Sequence, residues 1–156
     1  MLGKVHSMNK YKPFQNNKIS QKFSSYPEDV RSKLLDLRNL ILEVAAKTKG
    51  VGTLDECLKW NEPSFVTLES KSGSTIRIDW KKSDPERYHM YFNCNTKLVS
   101  IFKELFPDDF EYGGNRSLSF ALKEKTPVKK LAKCIEIALT YNLNDYKNFF
   151  EFEGNG

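Results

Sequence analysis

The sequence predicts an α+β domain, with a mostly antiparallel sheet of about five strands, N- and C-terminal helices packed on one face, and a short helix between strands. Three observations predict it. Segments near both ends repeat apolar residues at helical spacing. The middle holds stretches of alternating or strand-rich composition, "SFVTLE", "TIRIDWK" and "RYHMYFN". Turn clusters, "SKSGS" and "KSDPE", separate those stretches at hairpin distance.

The first helix is expected from about Pro27 to Lys47. "SYPE" at Ser25–Glu28 has capping-box spacing, and Pro27 suits a first turn, where its missing N–H costs nothing. Val30, Leu34, Leu37, Ile41 and Val44 form its apolar stripe, and Gly50 and Gly52 end it. The strands "SFVTLE" and "TIRIDWK" form an antiparallel hairpin across Ser70–Ser74, and "RYHMYFN" follows the turn Lys82–Glu86. A short helix is expected from Lys97 to Phe106, with Leu98, Ile101, Phe102 and Leu105 on one face and Pro107 as its stop. "DFEYGGNRSLSFAL" reads as two short strands around Gly113–Gly114. A last helix begins at Pro127, capped by Thr126, and turns Val128, Leu131, Ile135 and Leu139 inward.

Alternation sorts the strand residues. Val66, Leu68, Ile76, Ile78, Trp80, Tyr88, Met90, Phe92, Leu118, Phe120 and Leu122 form the core face. Phe65, Thr67, Glu69, Arg77, Asp79, Arg87, His89, Tyr91, Ser117 and Ser119 form the other, polar yet carrying aromatics.

At 156 residues the chain suits one domain. No apolar run approaches the roughly 20 residues that span a bilayer, and the N-terminus lacks the apolar core of a secretory signal. Three widely spaced cysteines, Cys57, Cys94 and Cys134, argue against a disulfide framework and for a reducing compartment, so a cytoplasmic location is expected. The formal net charge is +5. Lys4, Lys10, Lys12, Lys18 and Lys22 carry all of it, because the residues after 23 hold 20 basic and 20 acidic side chains. Residues 1–22 are therefore read as a flexible basic tail, 23–142 as the domain and 143–156 as a C-terminal extension. A domain that is neutral outside its tail argues against specific nucleic-acid binding.

Several segments resemble one family. "YPEDVRSKLLDLRNLI", "LKWNEPSF", "SKSGSTIRIDWKKSDPERYHMYF" and "ALTYN" are similar to the YdhG-like family, domain of unknown function 1801, over about Phe23 to Asn142. The resemblance implies a small α+β cytoplasmic domain with no general activity attached. One branch is similar in shape to frataxin and is proposed as an iron chaperone, although its motifs are not the ones best matched here. Asn61 stands where the family usually has Gly in "WGEPS", and Asn tolerates the left-handed backbone such a turn needs. The usual basic stretch after "ALTYH" is replaced here by "ALTYN" with Asp145, Glu151 and Glu153 downstream.

The chemistry-bearing residues form no strong motif. His89 and Cys94 point to opposite faces in alternation, and the chain has no Cys-x-x-Cys, no spaced His pair and no phosphate loop, so no metal site, cofactor or catalytic residue is assigned. The expected function is a binding module, not an enzyme, taking a small anionic molecule or a protein on the polar sheet face. Trp60, Arg77, Asp79, His89, Tyr91 and Arg116 are its candidate ligand-binding residues, because guanidinium groups flanked by aromatics suit a small anion or planar acid. The opposing expectation is structural: Arg77 and Arg116 in salt bridges, Arg77 with Asp79, and Trp60 in the core. The alternatives are an iron-binding chaperone, and an enzyme using His89 as acid or base with Asp79 as its orienter. Oligomeric state is not legible.

Overall fold

The computed structural model describes residues 11–150. Among them are four α-helices: α1 (Asn17–Ser25), α2 (Glu28–Lys47), α3 (Leu98–Leu105) and α4 (Val128–Leu139). Six strands form one open antiparallel sheet: β1 (Asp55–Lys59), β2 (Glu62–Val66), β3 (Ile76–Asp79), β4 (Arg87–Tyr91), β5 (Glu111–Gly113) and β6 (Ser117–Ala121). Their spatial order is β1-β2-β3-β4-β6-β5. The expected α+β class holds, with one strand more than expected. The added strand is β1, "DECLK", whose polar composition hides its pairing with β2.

The tail is shorter than the sequence suggested. Residues 1–10 lie outside the described part, but α1 begins at Asn17, inside the stretch read as flexible. Asn16 caps it by accepting a hydrogen bond from the Ile19 N–H at 3.1 Å. Ile19 and Phe23, four residues apart, bury one face, and Phe14 stacks on Phe23. Two isolated apolar residues were too few to reveal this helix in the sequence.

Arg38 holds the segment before α1. It is fully buried on α2 and makes a two-pronged ion pair with Glu56 of β1, Nε to Oε1 at 2.5 Å and Nη2 to Oε2 at 2.9 Å. Its remaining N–H groups donate to the Lys12 and Pro13 carbonyls, and it lies 4.6 Å from the Phe14 ring centroid. The Gln15 side chain then pairs with β1 as a backbone would, donating to the Leu54 carbonyl and accepting from the Glu56 N–H.

The apolar stripe of α2 is buried at Val30, Leu34, Leu37 and Ile41, and ends at Ala45. The capping box does not form. The α2 N-cap is Pro27, without a side-chain cap, and the Ser25 hydroxyl donates back to the Lys22 carbonyl. Arg31 closes the end of α1 instead, donating to the carbonyls of Phe23, Ser24 and Tyr26. Thr126 does not cap α4 either; its hydroxyl bonds the Tyr88 phenol at 2.7 Å, and Val128 is exposed.

The expected core face is buried at Ile76, Ile78, Tyr88, Met90, Phe92, Leu118 and Phe120. Strand β2 runs in the opposite phase to the one expected. Phe65 is buried opposite Ile76, whereas Val66 is half-buried and Leu68 exposed. The cause is a two-residue turn, Trp60–Asn61, which pairs Lys59 with Glu62 and so sets Phe65 opposite Glu56. Trp80 is only half-buried, its indole N–H donating to the Pro85 carbonyl.

The Ser70–Ser74 loop locks onto the end of α4. The Ser72 hydroxyl donates to the Leu139 carbonyl at 2.6 Å, the Ser74 N–H to the Ala138 carbonyl, and the Asn142 N–H back to the Ser72 carbonyl. Gly73 sits so close that a Cβ there would lie 2.3 Å from the Ala138 oxygen. Two of the segments that carry the family resemblance, "SKSGS" and "ALTYN", are thus one contact.

Candidate functional site

Antiparallel register brings the polar-face residues into rows. Ser64 lies opposite Arg77, Arg77 opposite Tyr91, and Tyr91 opposite Ser117. In the next row Asp79 lies opposite His89, and His89 opposite Ser119. These rows hold two arrangements that differ in how their charges are satisfied.

The first is a buried polar cluster. Glu62 and Asp79 are both almost wholly buried, and the Lys81 ammonium donates to each carboxylate at 3.1 Å. The Tyr26 hydroxyl donates to Asp79 Oδ1 at 2.6 Å, and Arg77 Nη1 donates to Glu62 Oε1 at 2.5 Å. Arg77 therefore pairs with Glu62 rather than with Asp79. Its guanidinium also lies 5.5 Å from the Tyr91 ring centroid. Burial raises the Tyr26 phenol, and its hydrogen bond to Asp79 raises it further. At Lys81 burial works against the charge, but the bonds to Glu62 and Asp79 outweigh it and the pKa rises. Burial also raises Tyr91, with Lys81 opposing. His89 sits 3.6 Å from Asp84 and 5.7 Å, ring to ring, from Tyr91. Its pKa is lowered by burial, partly offset by Asp84.

The second is an open concavity of about 510 Å³, lined by Lys59, Trp60, Thr75, Arg77, Phe92, Asn93, Cys94 and Arg116. Three of these are cations and none is a carboxylate. Among the described residues neither Lys59 nor Arg116 has an ion-pair partner, whereas Arg77 is shared with Glu62. Arg116 is held by its backbone in the β5–β6 turn, where its N–H donates to the Gly113 carbonyl and its carbonyl accepts from the Phe92 N–H. Trp60 is 85% exposed, so it is not a core residue. It occupies the first turn position with φ of 55°, and Asn61 follows at 61°. Asn61 thus adopts the left-handed backbone expected of it. Asn and Gly favour this turn, whereas a bulky residue in that region costs on the order of 1–2 kcal/mol.

Of the six residues singled out by sequence, Trp60, Arg77 and Arg116 line one concavity. Asp79, His89 and Tyr91 do not. Asp79 is engaged by Tyr26 and Lys81, His89 faces Asp84 and Tyr91, and Tyr91 underlies Arg77. Lys59, Thr75 and Asn93 were missed. A signal for Lys59 was present: reading "WN" as a two-residue turn pairs Lys59 with Glu62 and makes the preceding residues a strand. Cys94 is exposed in the same concavity; Cys134 is buried, and burial pushes its thiol up to about 12. Among the described residues no three His, Cys, Asp or Glu side chains are grouped to hold a metal ion, and no helix is long and apolar enough to cross a membrane.

No family model matches the sequence, and no curated protein matches it. Among solved structures, the crystal structure of a protein of the DUF1801 family, YdhG from Bacillus subtilis, matches with a TM-score of 0.60. The match covers 84% of this chain and 95% of that one at 13% identity. A likeness at that identity is one of fold. The chain has the YdhG-like α+β fold that its motifs imply.

Proposed function

We propose that this chain is a binding module for a small anion, taken up in the concavity of Lys59, Trp60, Arg77 and Arg116. The observation that carries the reading is the charge of that concavity. Three cations line it with no carboxylate among its lining residues, although the residues after 23 hold equal numbers of basic and acidic side chains, these three included. Glu62 offsets part of the Arg77 charge, but Lys59 and Arg116 have no ion-pair partner among the described residues. Cations gathered in this way repel one another, and an anion relieves that repulsion. Two arginine forks also suit bidentate recognition of a phosphate or carboxylate. Binding rather than catalysis fits the same residues. His89, the one imidazole in the described part, faces Asp84 and does not line the concavity.

The test is thermal stabilisation by phosphate, pyrophosphate and citrate, compared with chloride at equal ionic strength. Stabilisation by at least one of them should disappear in Arg116→Met and shrink in Lys59→Met, because ligand that binds only the folded state raises the midpoint. If no anion shifts the wild type beyond chloride, or if both variants shift as the wild type does, the reading fails.

A further inference from the structure

Resting on that anion-binding reading, we propose that the ligand is a nucleoside phosphate, its phosphate held by Lys59, Arg77 and Arg116 and its base stacked on Trp60. Cations alone explain an anion; they do not explain Trp60. Its indole is exposed, and its N–H has no partner among the described residues, whereas the N–H of Trp80 is tied to the Pro85 carbonyl. It occupies a left-handed turn position that Asn or Gly would fill with less strain. Folding therefore gains little from a large ring there, and strain kept at an exposed position beside a charged concavity points to use. A ring in that setting offers a face on which a flat heterocycle stacks, an interaction that tolerates any base because each has a π-face.

Charge selects the other half of the ligand. The lining cations sum to three positive charges, of which Glu62 partly offsets only that of Arg77. A monocarboxylate would leave most of that charge unmatched, whereas a phosphate ester brings about two negative charges at neutral pH. The Thr75 hydroxyl and the Asn93 amide also line the concavity and add neutral polar groups; Asn93 Oδ1 accepts from the Asn95 N–H, which leaves its amide nitrogen free to donate. The volume, about 510 Å³, lies within the range of small-molecule sites.

Titration of the whole protein with phosphate, adenosine and AMP, followed by calorimetry and tryptophan fluorescence, tests this. AMP should bind at least about tenfold more tightly than phosphate, as base–aromatic stacking supplies, and should quench the exposed indole. Trp60→Asn, which suits the turn, should bring AMP down to the affinity of phosphate while phosphate binding is retained. Equal affinity for AMP and phosphate in the wild type, or a preference for AMP that survives Trp60→Asn, would overturn the nucleotide proposal and leave the anion reading intact. Failure of both phosphate and AMP to bind would overturn the two together. A single-stranded oligonucleotide is the control for source: if it binds and AMP does not, the site reads a polymer and the proposal is wrong.

Discussion

Arg38 and Arg116 are the same residue type put to opposite uses. Arg38 is fully buried, and the Glu56 carboxylate and the Lys12 and Pro13 carbonyls satisfy its guanidinium. Arg116 is exposed in a turn, pinned only through its backbone, with no ion-pair partner among the described residues. Arg77 stands between them, bonded to buried Glu62 on one side and open to the concavity on the other. A buried cation must be paired or it unfolds the protein. An exposed one carries no such demand, so several gathered without carboxylates need another explanation. Composition counts all three arginines alike; only their partners separate structure from candidate function.

The comparison can be broken in stages. Arg38→Met leaves Glu56 buried without its cation and releases the carbonyls of Lys12 and Pro13. It should cost about 3–5 kcal/mol in chemical denaturation, and should expose the segment before α1 to limited proteolysis. A loss below about 1 kcal/mol would mean the clamp is dispensable. Arg77→Met should cost less, about 1–3 kcal/mol, because Lys81 still reaches Glu62. Adding Glu62→Gln should recover part of that loss, since it removes the buried charge. Arg116→Met and Lys59→Met should each stay within about 0.5 kcal/mol of wild type without ligand.

The smallest effect expected is one of pH. His89 is held below its ordinary pKa of 6.5 by burial, despite Asp84 and Asp79, with Arg87 adding to the depression. The unfolded chain then takes up the proton first as pH falls, so stability drops below about 6.5 and the drop levels off under the folded-state value. His89→Gln should flatten that part of the stability–pH curve. An unchanged slope in the variant would place the responsible group elsewhere.

Much of the fold was legible because its signals are periodic. The stripe Val30, Leu34, Leu37 and Ile41 marks α2, and the alternation of Ile76 with Ile78 and of Tyr88 with Met90 marks the central strands. What escaped was set by partners distant in sequence. Strand β1 is polar because Glu56 serves Arg38 rather than the apolar core, and α1 leaves little periodic signal because only Ile19 and Phe23 of its residues are buried. The phase of β2 depended on the left-handed turn at Trp60 and Asn61, and without it Phe65 was sent to the wrong face. The candidate site divided along the same line. Trp60, Arg77 and Arg116 could be grouped from alternation and turn position. That Asp79 is engaged by Tyr26, and Arg77 by Glu62, follows from contacts spanning 53 and 15 residues, which no local pattern carries.

The most direct test of the account sets Arg38→Met beside Arg116→Met in thermal unfolding, each with and without pyrophosphate. Arg38→Met should lower the midpoint in plain buffer and keep the upward shift with pyrophosphate. Arg116→Met should leave the midpoint in buffer unchanged and lose the shift. If Arg116→Met instead destabilises the free protein as Arg38→Met does, or keeps the full pyrophosphate shift, the division between partnered and unpartnered arginines is wrong.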